Sequence, residues 1–278
     1  MSVCLPAREC AASVGQIVTA LLELRDAGAI DEVLVIDAGS ADGTAEIAER
    51  AGASVYQEAE LMPAQGPVLG KGDAMWRALS VLSGELVCFL DADSEHFSAH
   101  FATGLIGPLV CEPGVSYVKA FYRRPFTRAG SGAGAGDATD AGERPATGAV
   151  AVEGGGRVNH LMARPALALF YPELAGVRQP LAGEVAASRE LLEELPFATG
   201  YGVEIAMLID VWQRFGLDAI AQVDLEEHHN PHQSLSALAP MAATVLSTIA
   251  RRVAQEGRMQ PLEDAAVERP ALASVTVA

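Results

Sequence analysis

The stretch Glu85–Asp93 reads ELVCFLDAD and sets two carboxylates directly behind an apolar run. The length and apolar content of this run predict a buried strand over Glu85–Leu90. Asp91 and Asp93 can then turn out of the sheet together, and paired carboxylates are typical ligands of a hard divalent cation. Such a cation can neutralise a departing diphosphate. A bare Asp-x-Asp also occurs in solvated turns, so the motif has to be weighed with its surroundings.

The segments before this stretch alternate strand and helix patterns. Such alternation with short connections predicts an α/β fold with a mostly parallel, Rossmann-like sheet flanked by helices. Ligands of these sheets bind beyond the carboxyl ends of the strands. Polar clusters follow three of the predicted strands, at Pro6–Glu9, Asp37–Ser40 and Asp91–Asp93, and their coincidence indicates a nucleotide site. The predicted strands are Ser2–Leu5, Glu32–Ile36 and Ala53–Tyr56, and the predicted helices are Ser13–Leu24, Thr44–Gly52 and Asp73–Leu82.

The second half of the chain adds further elements. Val115–Tyr122 and Ala219–Val223 are predicted strands, and Val158–Leu169, Val203–Phe215 and Leu235–Val253 are predicted helices. The stretch Thr127–Glu153 is dominated by Gly, Ala, Thr and Asp, so it buries too little apolar surface to offset its ordering entropy. We expect a flexible loop there, either a lid or a passive insertion.

Composition limits the possible functions. The 278 residues are 50% hydrophobic, enough for one substantial core, and no apolar run has the ~18 residues of a membrane span. The formal charge of −17 argues against a nucleic-acid surface, which needs a basic field. The N-terminus shows no export signal, and the four cysteines lack CxxC spacing. These features predict a cytoplasmic protein with reduced thiols.

Glycines stand next to a cationic side chain in two segments. Lys71, one of only two lysines, lies in Gly70-Lys71-Gly72 before a predicted helix, and Arg157 follows three glycines before another. A helix N-terminus that is preceded by flexible backbone and carries a cationic side chain favours the binding of an anion. An ordinary glycine turn is the alternative in the first case, and the end of the flexible loop in the second.

Two further clusters contain chemically useful side chains. Glu226–Asn230 reads EEHHN behind the last predicted strand, where one imidazole could complete the metal shell begun by Asp93, or the histidines could simply lie in a surface loop. Tyr201 and Glu204 open a helix, where Glu204 could complement the helix dipole or face a sugar.

Several segments in this order resemble the actinobacterial glucosyl-3-phosphoglycerate synthases, retaining glycosyltransferases of GT-A fold. The resemblance extends from about Ser2 to Leu235, and the FYRRP, QPLAGE and LDAIAQV stretches are its most specific parts. It is carried by Leu5–Ala7, Asp37–Ser40, Gly70–Arg77, Asp91–Asp93, Val118–Pro125, Gly154–Val158, Gln179–Glu184, Gly200–Ile205 and Gly216–Val223.

The resemblance implies a nucleotide-sugar-binding part at 1–126 and an acceptor-binding part at 154–234. Composition and apolar spacing predict the flexible loop at 127–153, a C-terminal helix at 235–258 and a disordered tail at 259–278. The resemblance also implies that UDP-glucose is the donor, 3-phosphoglycerate the acceptor, Mg²⁺ or Mn²⁺ the cofactor, and a homodimer the assembly. The implied donor-binding residues are Pro6, Ala7, Asp37, Ser40, Lys71, Asp91, Ala92, Gly183 and Glu184. The implied acceptor-binding residues are Gly156, Arg157, Asn159 and Asn230. Asp93 and His228 would hold the metal, and Glu204, Tyr201 and Asp91 would lie at the reacting carbon.

Three departures from the family pattern keep alternatives open. Arg8-Glu9-Cys10 replaces an acidic cluster, Asn159 replaces a threonine, and Glu226 replaces an arginine two residues before the metal histidine. The main alternative is a mannosyl-3-phosphoglycerate synthase that uses GDP-mannose, and another is a non-catalytic nucleotide-sugar binder. A nucleotidyltransferase is disfavoured because Pro6–Glu9 lacks the expected glycine-rich phosphate loop.

Overall fold

The computed structural model describes residues 1–124, 156–229, 234–260 and 267–275. A seven-stranded sheet forms its centre, and a short two-stranded sheet lies beside it. The strands are β1 Ser2–Ala7, β2 Glu32–Asp37, β3 Ser54–Gln57, β4 Leu86–Phe89, β5 Tyr117–Arg123, β6 Val185–Ser188, β7 Phe197–Ala198, β8 Ile220–Glu227 and β9 Glu268–Arg269. The helices are α1 Val14–Asp26, α2 Thr44–Ala51, α3 Lys71–Ala78, α4 His100–Cys111, α5 Arg164–Phe170, α6 Arg189–Glu194, α7 Val203–Phe215 and α8 Leu235–Gln255.

The large sheet has the strand order β3-β2-β1-β4-β6-β5-β8. Strands β1 to β4 pair in parallel, as do β5 and β8. Only β6 runs antiparallel to its neighbours β4 and β5 within this sheet as described. The predicted α/β class with a mostly parallel sheet is therefore confirmed.

Helices cover both faces of the sheet because the strand residues alternate between two apolar clusters. On β4, Val87 and Phe89 pack with α3, α7 and α8, whereas Cys88 packs with α1 and α4 on the opposite face. All three side chains are almost completely buried. Burial on both faces explains why the parallel strands appear as continuous apolar runs in the sequence.

The strand β6 is an element that the sequence pattern does not predict. Its sequence VAAS is short and alanine-rich, so it lacks the β-branched pattern of its neighbours. It nevertheless inserts between β4 and β5. The predicted acceptor-binding part at 154–234 therefore contributes strands to the same sheet as the part at 1–126.

The C-terminal segment also differs from its prediction. The sequence predicts disorder for residues 259–278, but β9 pairs with β7 and Leu272 is buried in the main core. The loop predicted at 127–153 lies outside the described residues. Within the described ranges, no helix is both long and apolar enough to cross a membrane.

Candidate active site

A cavity of about 460 Å³ opens at the carboxyl ends of the central strands. Its walls contain Pro6 and Ala7 from the end of β1, Asp91 to Asp93 behind β4, and His228 behind β8. The first residues of α3 and α7 and one face of α8 close the other side. This is the edge of the sheet that the polar clusters of the sequence indicated.

An ion-pair network on the cavity wall is centred on Lys71, the first residue of α3. Its Nζ lies 2.6 Å from Asp91 Oδ1 and 2.9 Å from Glu204 Oε1. Burial disfavours the charged amine, but the two carboxylates outweigh it and raise the pKa of Lys71 well above its ordinary value. Asp91 also touches Gly183 so closely that an added Cβ there would lie 2.3 Å from Asp91 Oδ2. The cavity therefore holds a fixed positive charge between two negative ones.

His228 is held in one orientation by three side chains. Its ring stacks on Tyr122 with centroids 4.6 Å apart and on Phe101 at 5.6 Å. Its Nε2 lies 2.9 Å from Oε1 of Glu184, which is as deeply buried as the imidazole itself. Burial opposes a charge on the ring, but Glu184 raises the pKa of His228. Such a carboxylate partner fixes the tautomer and the ring plane of a metal-binding histidine.

Backbone hydrogen bonds bring Asp93 and His228 to the same part of the cavity. The Glu95 amide donates to the His229 carbonyl at 3.0 Å, which ties the loop behind β4 to the residues behind β8. Enclosure in the cavity and the nearby Asp91 carboxylate raise the pKa of Asp93, so this corner favours a cation. A carboxylate and an imidazole fit Mg²⁺ or Mn²⁺. No group of three or more His, Cys, Asp or Glu within the described part of the chain could hold a metal alone, so an ion here would take further ligands from substrate or water.

Polar and cationic side chains line another wall of the cavity. Gly156, Arg157 and Asn159 all belong to it, as does Arg124. Asn159 is almost completely buried, and its Nδ2 donates to the Arg178 carbonyl at 3.3 Å. The Oδ1 of Asn159 receives no hydrogen bond from the described residues. This wall can accept a small anion and can also accept a hydrogen bond from a hydroxyl group.

Three predicted site residues stand behind the wall, and one lies outside the described chain. Asp37 is buried, and its Oδ2 accepts hydrogen bonds from the amides of Gly39 and Ser40 at 3.1 and 3.0 Å. Ser40 Oγ in turn accepts from the Glu9 amide at 2.9 Å. Both residues therefore shape the loops around the cavity, as Glu184 does through His228. Asn230 falls outside the described residues.

Comparisons with known proteins show the family of the chain. Residues 2–123 match the family model described as Glycosyl transferase family 2. A glucosyl-3-phosphoglycerate synthase of Mycolicibacterium paratuberculosis is 42% identical over 252 residues, which are 91% of this chain and 72% of the relative. The chain belongs to the glucosyl-3-phosphoglycerate synthase family. A synthase of this name from Petrotoga mobilis is 41% identical over 83% of the chain, and the match spans 65% of the relative's length.

Solved structures place this member of the glucosyl-3-phosphoglycerate synthase family in the GT-A fold. The mannosyl-3-phosphoglycerate synthase of Rubrobacter xylanophilus superposes with a TM-score of 0.86 at 42% identity, covering 99% of this chain and 90% of that one. The Mycobacterium tuberculosis glucosyl-3-phosphoglycerate synthase, solved with Mn²⁺, UDP-glucose and phosphoglyceric acid, gives 0.81 at 38% identity over 98% and 89%. The chain is thus a glycosyltransferase by family.

Some cavity residues of this synthase-family member were not singled out from the sequence. Arg124 is the second arginine of the FYRRP stretch, and its Nη2 donates to the Tyr122 hydroxyl at 3.0 Å. The paired arginines after an apolar strand were the available sign. Arg8 and Glu58 line the cavity beside Pro6 and Ala7. The residues Leu238, Met241 and Val245 give it an apolar wall from α8, and nothing in a helical apolar pattern distinguishes a cavity wall from a core face.

The departures from the family pattern lie at different distances from the cavity. Asn159 lines it, whereas Glu226 is exposed and does not belong to its walls. Glu226 has a φ of 65°, and its amide donates to Asp224 Oδ1 at 2.8 Å. The Glu9 carboxylate accepts from the Ala41 amide at 2.8 Å, so it joins the loops behind β1 and β2.

Proposed function

We propose that the protein transfers glucose from UDP-glucose to the 2-hydroxyl of 3-phosphoglycerate with retention at the anomeric carbon, giving glucosyl-3-phosphoglycerate. The observation that carries the proposal is the convergence on one cavity of Lys71, the Asp93 and His228 pair, and the Arg157 wall. These groups match the phosphates of a nucleotide sugar, a divalent metal and an anionic acceptor, respectively. A relative with 38% identity is solved with Mn²⁺, UDP-glucose and phosphoglyceric acid in its complex.

The donor is expected to lie with its uridine against Pro6 and Ala7 and its diphosphate near Asp93 and His228. When bound there, Mg²⁺ or Mn²⁺ would stabilise the charge that develops on the departing UDP. Lys71, pinned by Asp91 and Glu204, presents a second fixed positive charge without reorganisation during the reaction. Gly183 contacts Asp91, and this carboxylate fills the space that a Cβ at position 183 would occupy.

The acceptor is expected to bind the wall formed by Gly156, Arg157 and Asn159. The Arg157 guanidinium can form two parallel hydrogen bonds with a phosphate or a carboxylate. The Asn159 Oδ1, which no described group donates to, can accept from the acceptor hydroxyl. We expect Arg157→Met to raise the KM for 3-phosphoglycerate about 10-fold or more while the slow hydrolysis of UDP-glucose continues.

Retention is compatible with two routes. Same-face attack would leave the departing phosphate to take the acceptor's proton, whereas a nucleophilic route needs a carboxylate at the anomeric carbon. Glu184 is enclosed and paired with His228, which argues against it as that nucleophile. Glu204 lines the cavity, and the kinetics of Glu204→Gln would distinguish the routes. Near-normal turnover of this variant would exclude Glu204 as a nucleophile.

The testing experiment measures UDP release by the purified protein given UDP-glucose, Mn²⁺ and 3-phosphoglycerate, with each component omitted in turn. Release that needs all three would support donor, metal and acceptor together. Slow release indifferent to 3-phosphoglycerate would contradict the proposed acceptor. No release with any combination would contradict the proposed reaction and favour a non-catalytic nucleotide-sugar binder.

Mannosyl transfer from GDP-mannose is the second candidate, and one observation favours it. The mannosyl-3-phosphoglycerate synthase of Rubrobacter xylanophilus superposes along 99% of the chain with a TM-score of 0.86. A competition assay with equal UDP-glucose and GDP-mannose, with both nucleotides quantified, distinguishes the donors. Dominant GDP release would show that GDP-mannose is the donor and would leave the proposed acceptor site unchanged.

A homodimer is the assembly that we propose. Leu235 and Leu246 on α8 are 66% and 46% exposed, and Leu161 and Leu169 near α5 are 77% and 72% exposed. Exposed apolar residues on neighbouring helices are typical of an interface. Light scattering during size-exclusion chromatography should give twice the 28.9 kDa of one chain. A Leu246→Glu variant that remains a folded monomer would locate the interface, and a monomeric wild type would contradict it.

A further inference from the structure

The C-terminal strap, residues 267–275, lies against the back of the helix that carries Lys71. Its strand β9 pairs with β7, and the Thr199 amide donates to the Val267 carbonyl at 3.2 Å. The Pro270 carbonyl accepts a hydrogen bond of 2.9 Å from Trp76 Nε1 on α3. Leu272 completes the contact by packing into the main core. The strap is therefore attached to α3 and to the segment that precedes α7.

Arg269 is the centre of this attachment. Its Nε and Nη2 form a fork on the Asp73 carboxylate, each at 2.8 Å. Its Nη1 and Nη2 also donate to the Gln65 and Pro67 carbonyls, at 2.7 and 3.0 Å. One guanidinium thus joins the first turn of α3 to the loop that leads into it, and a lysine could not make all of these bonds.

Asp73 is completely buried and links Arg269 to the rest of α3. Besides Arg269, it accepts hydrogen bonds from the Leu69 amide at 2.8 Å and from Arg77 Nε at 3.2 Å. Burial opposes its charge, but these donors, with Arg269 the largest contributor, lower the pKa of Asp73. Removal of Arg269 would leave the buried carboxylate with fewer donors, which is costly.

Lys71 and Asp73 occupy opposite sides of the same helical turn. Residues two positions apart in an α-helix are rotated by about 200° about the helix axis. The same turn therefore directs Asp73 towards the strap and Lys71 towards the cavity. The turn is packed closely at Gly72 as well. A Cβ at Gly72 would lie 1.9 Å from the carbonyl oxygen of Ala198 on β7, the strand with which β9 pairs. A displacement of the turn by a few tenths of an ångström would move the Lys71 ammonium group relative to its partners.

We propose that Arg269 is a positioning residue for Lys71, and that the C-terminal strap holds the first turn of α3 so that the ammonium group stays between Asp91 and Glu204. Arg252 secures the strap from the other side. It forms ion pairs with Asp210 at 2.7 Å and with Glu268, the neighbour of Arg269 on β9. The strap acts on the reaction only through α3, because none of its residues lines the cavity.

Chemical labelling of the two lysines tests this positioning without any substrate. Lys71 is partly accessible but held in two ion pairs, and Lys119 is almost completely buried, so Lys119 reports general loosening of the fold. Brief acetylation followed by mass spectrometry would compare wild type, Arg269→Met, Arg269→Lys and the control Arg258→Met. Arg258 is an exposed C-terminal arginine that binds Glu256 and the Phe170 carbonyl away from α3.

We expect Arg269→Met to accelerate acetylation of Lys71 about 10-fold or more relative to Lys119, with Arg269→Lys intermediate and Arg258→Met unchanged. Equal acceleration at both lysines, or none at Lys71, would overturn the proposal. Arg269→Lys keeps a charge beside Asp73, so it provides a folded variant if Arg269→Met is too unstable to purify.

The kinetic readout rests on the proposed function. In Arg269→Met we expect kcat/KM for UDP-glucose to fall about 10-fold, with the KM for 3-phosphoglycerate changed less than about twofold. Unchanged donor kinetics together with faster Lys71 labelling would overturn the catalytic part of the proposal. A wild type that releases no UDP would contradict the proposed reaction alone, because the labelling ratio does not depend on turnover.

Discussion

The ammonium group of Lys71 lies 2.6 Å from Oδ1 of Asp91, although the two residues are 20 positions apart in the chain. The pair joins a glycine-flanked helix start to the first carboxylate of the Asp-x-Asp motif. Neither sequence motif is specific by itself. Their contact, with Glu204 as the third member, turns two common patterns into one charged site.

Replacement of Lys71 should affect turnover more than folding. In Lys71→Met, Asp91 and Glu204 would face each other and a departing diphosphate without their cation. We expect kcat/KM for UDP-glucose to fall about 100-fold, the magnitude typical for loss of one preorganised charge. Lys71→Arg should recover part of the loss because it keeps the charge. A change of less than about threefold in Lys71→Met would contradict the role of this network.

A single methyl group at Gly183 should disturb the site. The added Cβ would lie 2.3 to 2.6 Å from three atoms of the Asp91 carboxylate, so that side chain must shift and its ion pair with Lys71 is disturbed. We expect Gly183→Ala to lose most UDP release while its melting temperature stays close to that of the wild type. The comparison requires steady-state kinetics and a thermal melt on the same sample. Full activity would show that Asp91 can shift without consequence.

A methyl group at Gly72 should instead destabilise the fold. Its Cβ would lie 1.9 Å from the Ala198 carbonyl oxygen and 2.9 Å from Val203 Cβ, so α3 would be pushed off β7 and α7. Overpacking of this kind costs about 1–3 kcal/mol or more of unfolding free energy. Gly107→Ala on α4 is the matched control, since a Cβ there meets nothing within 4 Å and alanine favours a helix. Urea unfolding of both variants checks the prediction, and equal stability would contradict it.

Stability should depend on pH through Lys119. Burial, aided by the positive charge of Lys71, lowers the pKa of Lys119 to about 8, although Glu204 opposes the shift. Between this pKa and the ordinary value near 10.4 the unfolded chain binds more protons, so this group makes the folded state more stable as pH rises. Below about pH 8 its contribution is constant and unfavourable.

The matched variant isolates this effect from the titration of buried thiols and phenols. Lys119→Met keeps an unbranched side chain that is one atom shorter and cannot titrate. The unfolding free energy of the wild type minus that of the variant should rise between pH 8 and 10.4 by at most about 1.4 kcal/mol per pH unit. Parallel curves for the two proteins would show that Lys119 remains charged inside the fold.

Local sequence determined where the buried strands and several of the helices begin and end. The apolar runs before Asp37 and Asp91 had the length and composition of buried parallel strands, and Gly52 marked the end of α2 with a φ of 105°. Because parallel strands end at the same edge, the polar clusters behind β1, β2 and β4 could be placed near one another from sequence. The motif order also sufficed to indicate the family.

Tertiary structure decided which of these groups face one another. The pairing of Glu184 with His228 depends on the insertion of the antiparallel β6 between β4 and β5, and VAAS has no local feature that predicts this insertion. The packing of the C-terminal strap depends on Arg269 and Asp73, which are 196 residues apart. Ion pairs and short strands over such separations are stabilised by surroundings that exist only after the chain has folded. Sequence therefore determined the chemistry available at the sheet edge, and the three-dimensional packing determined its geometry.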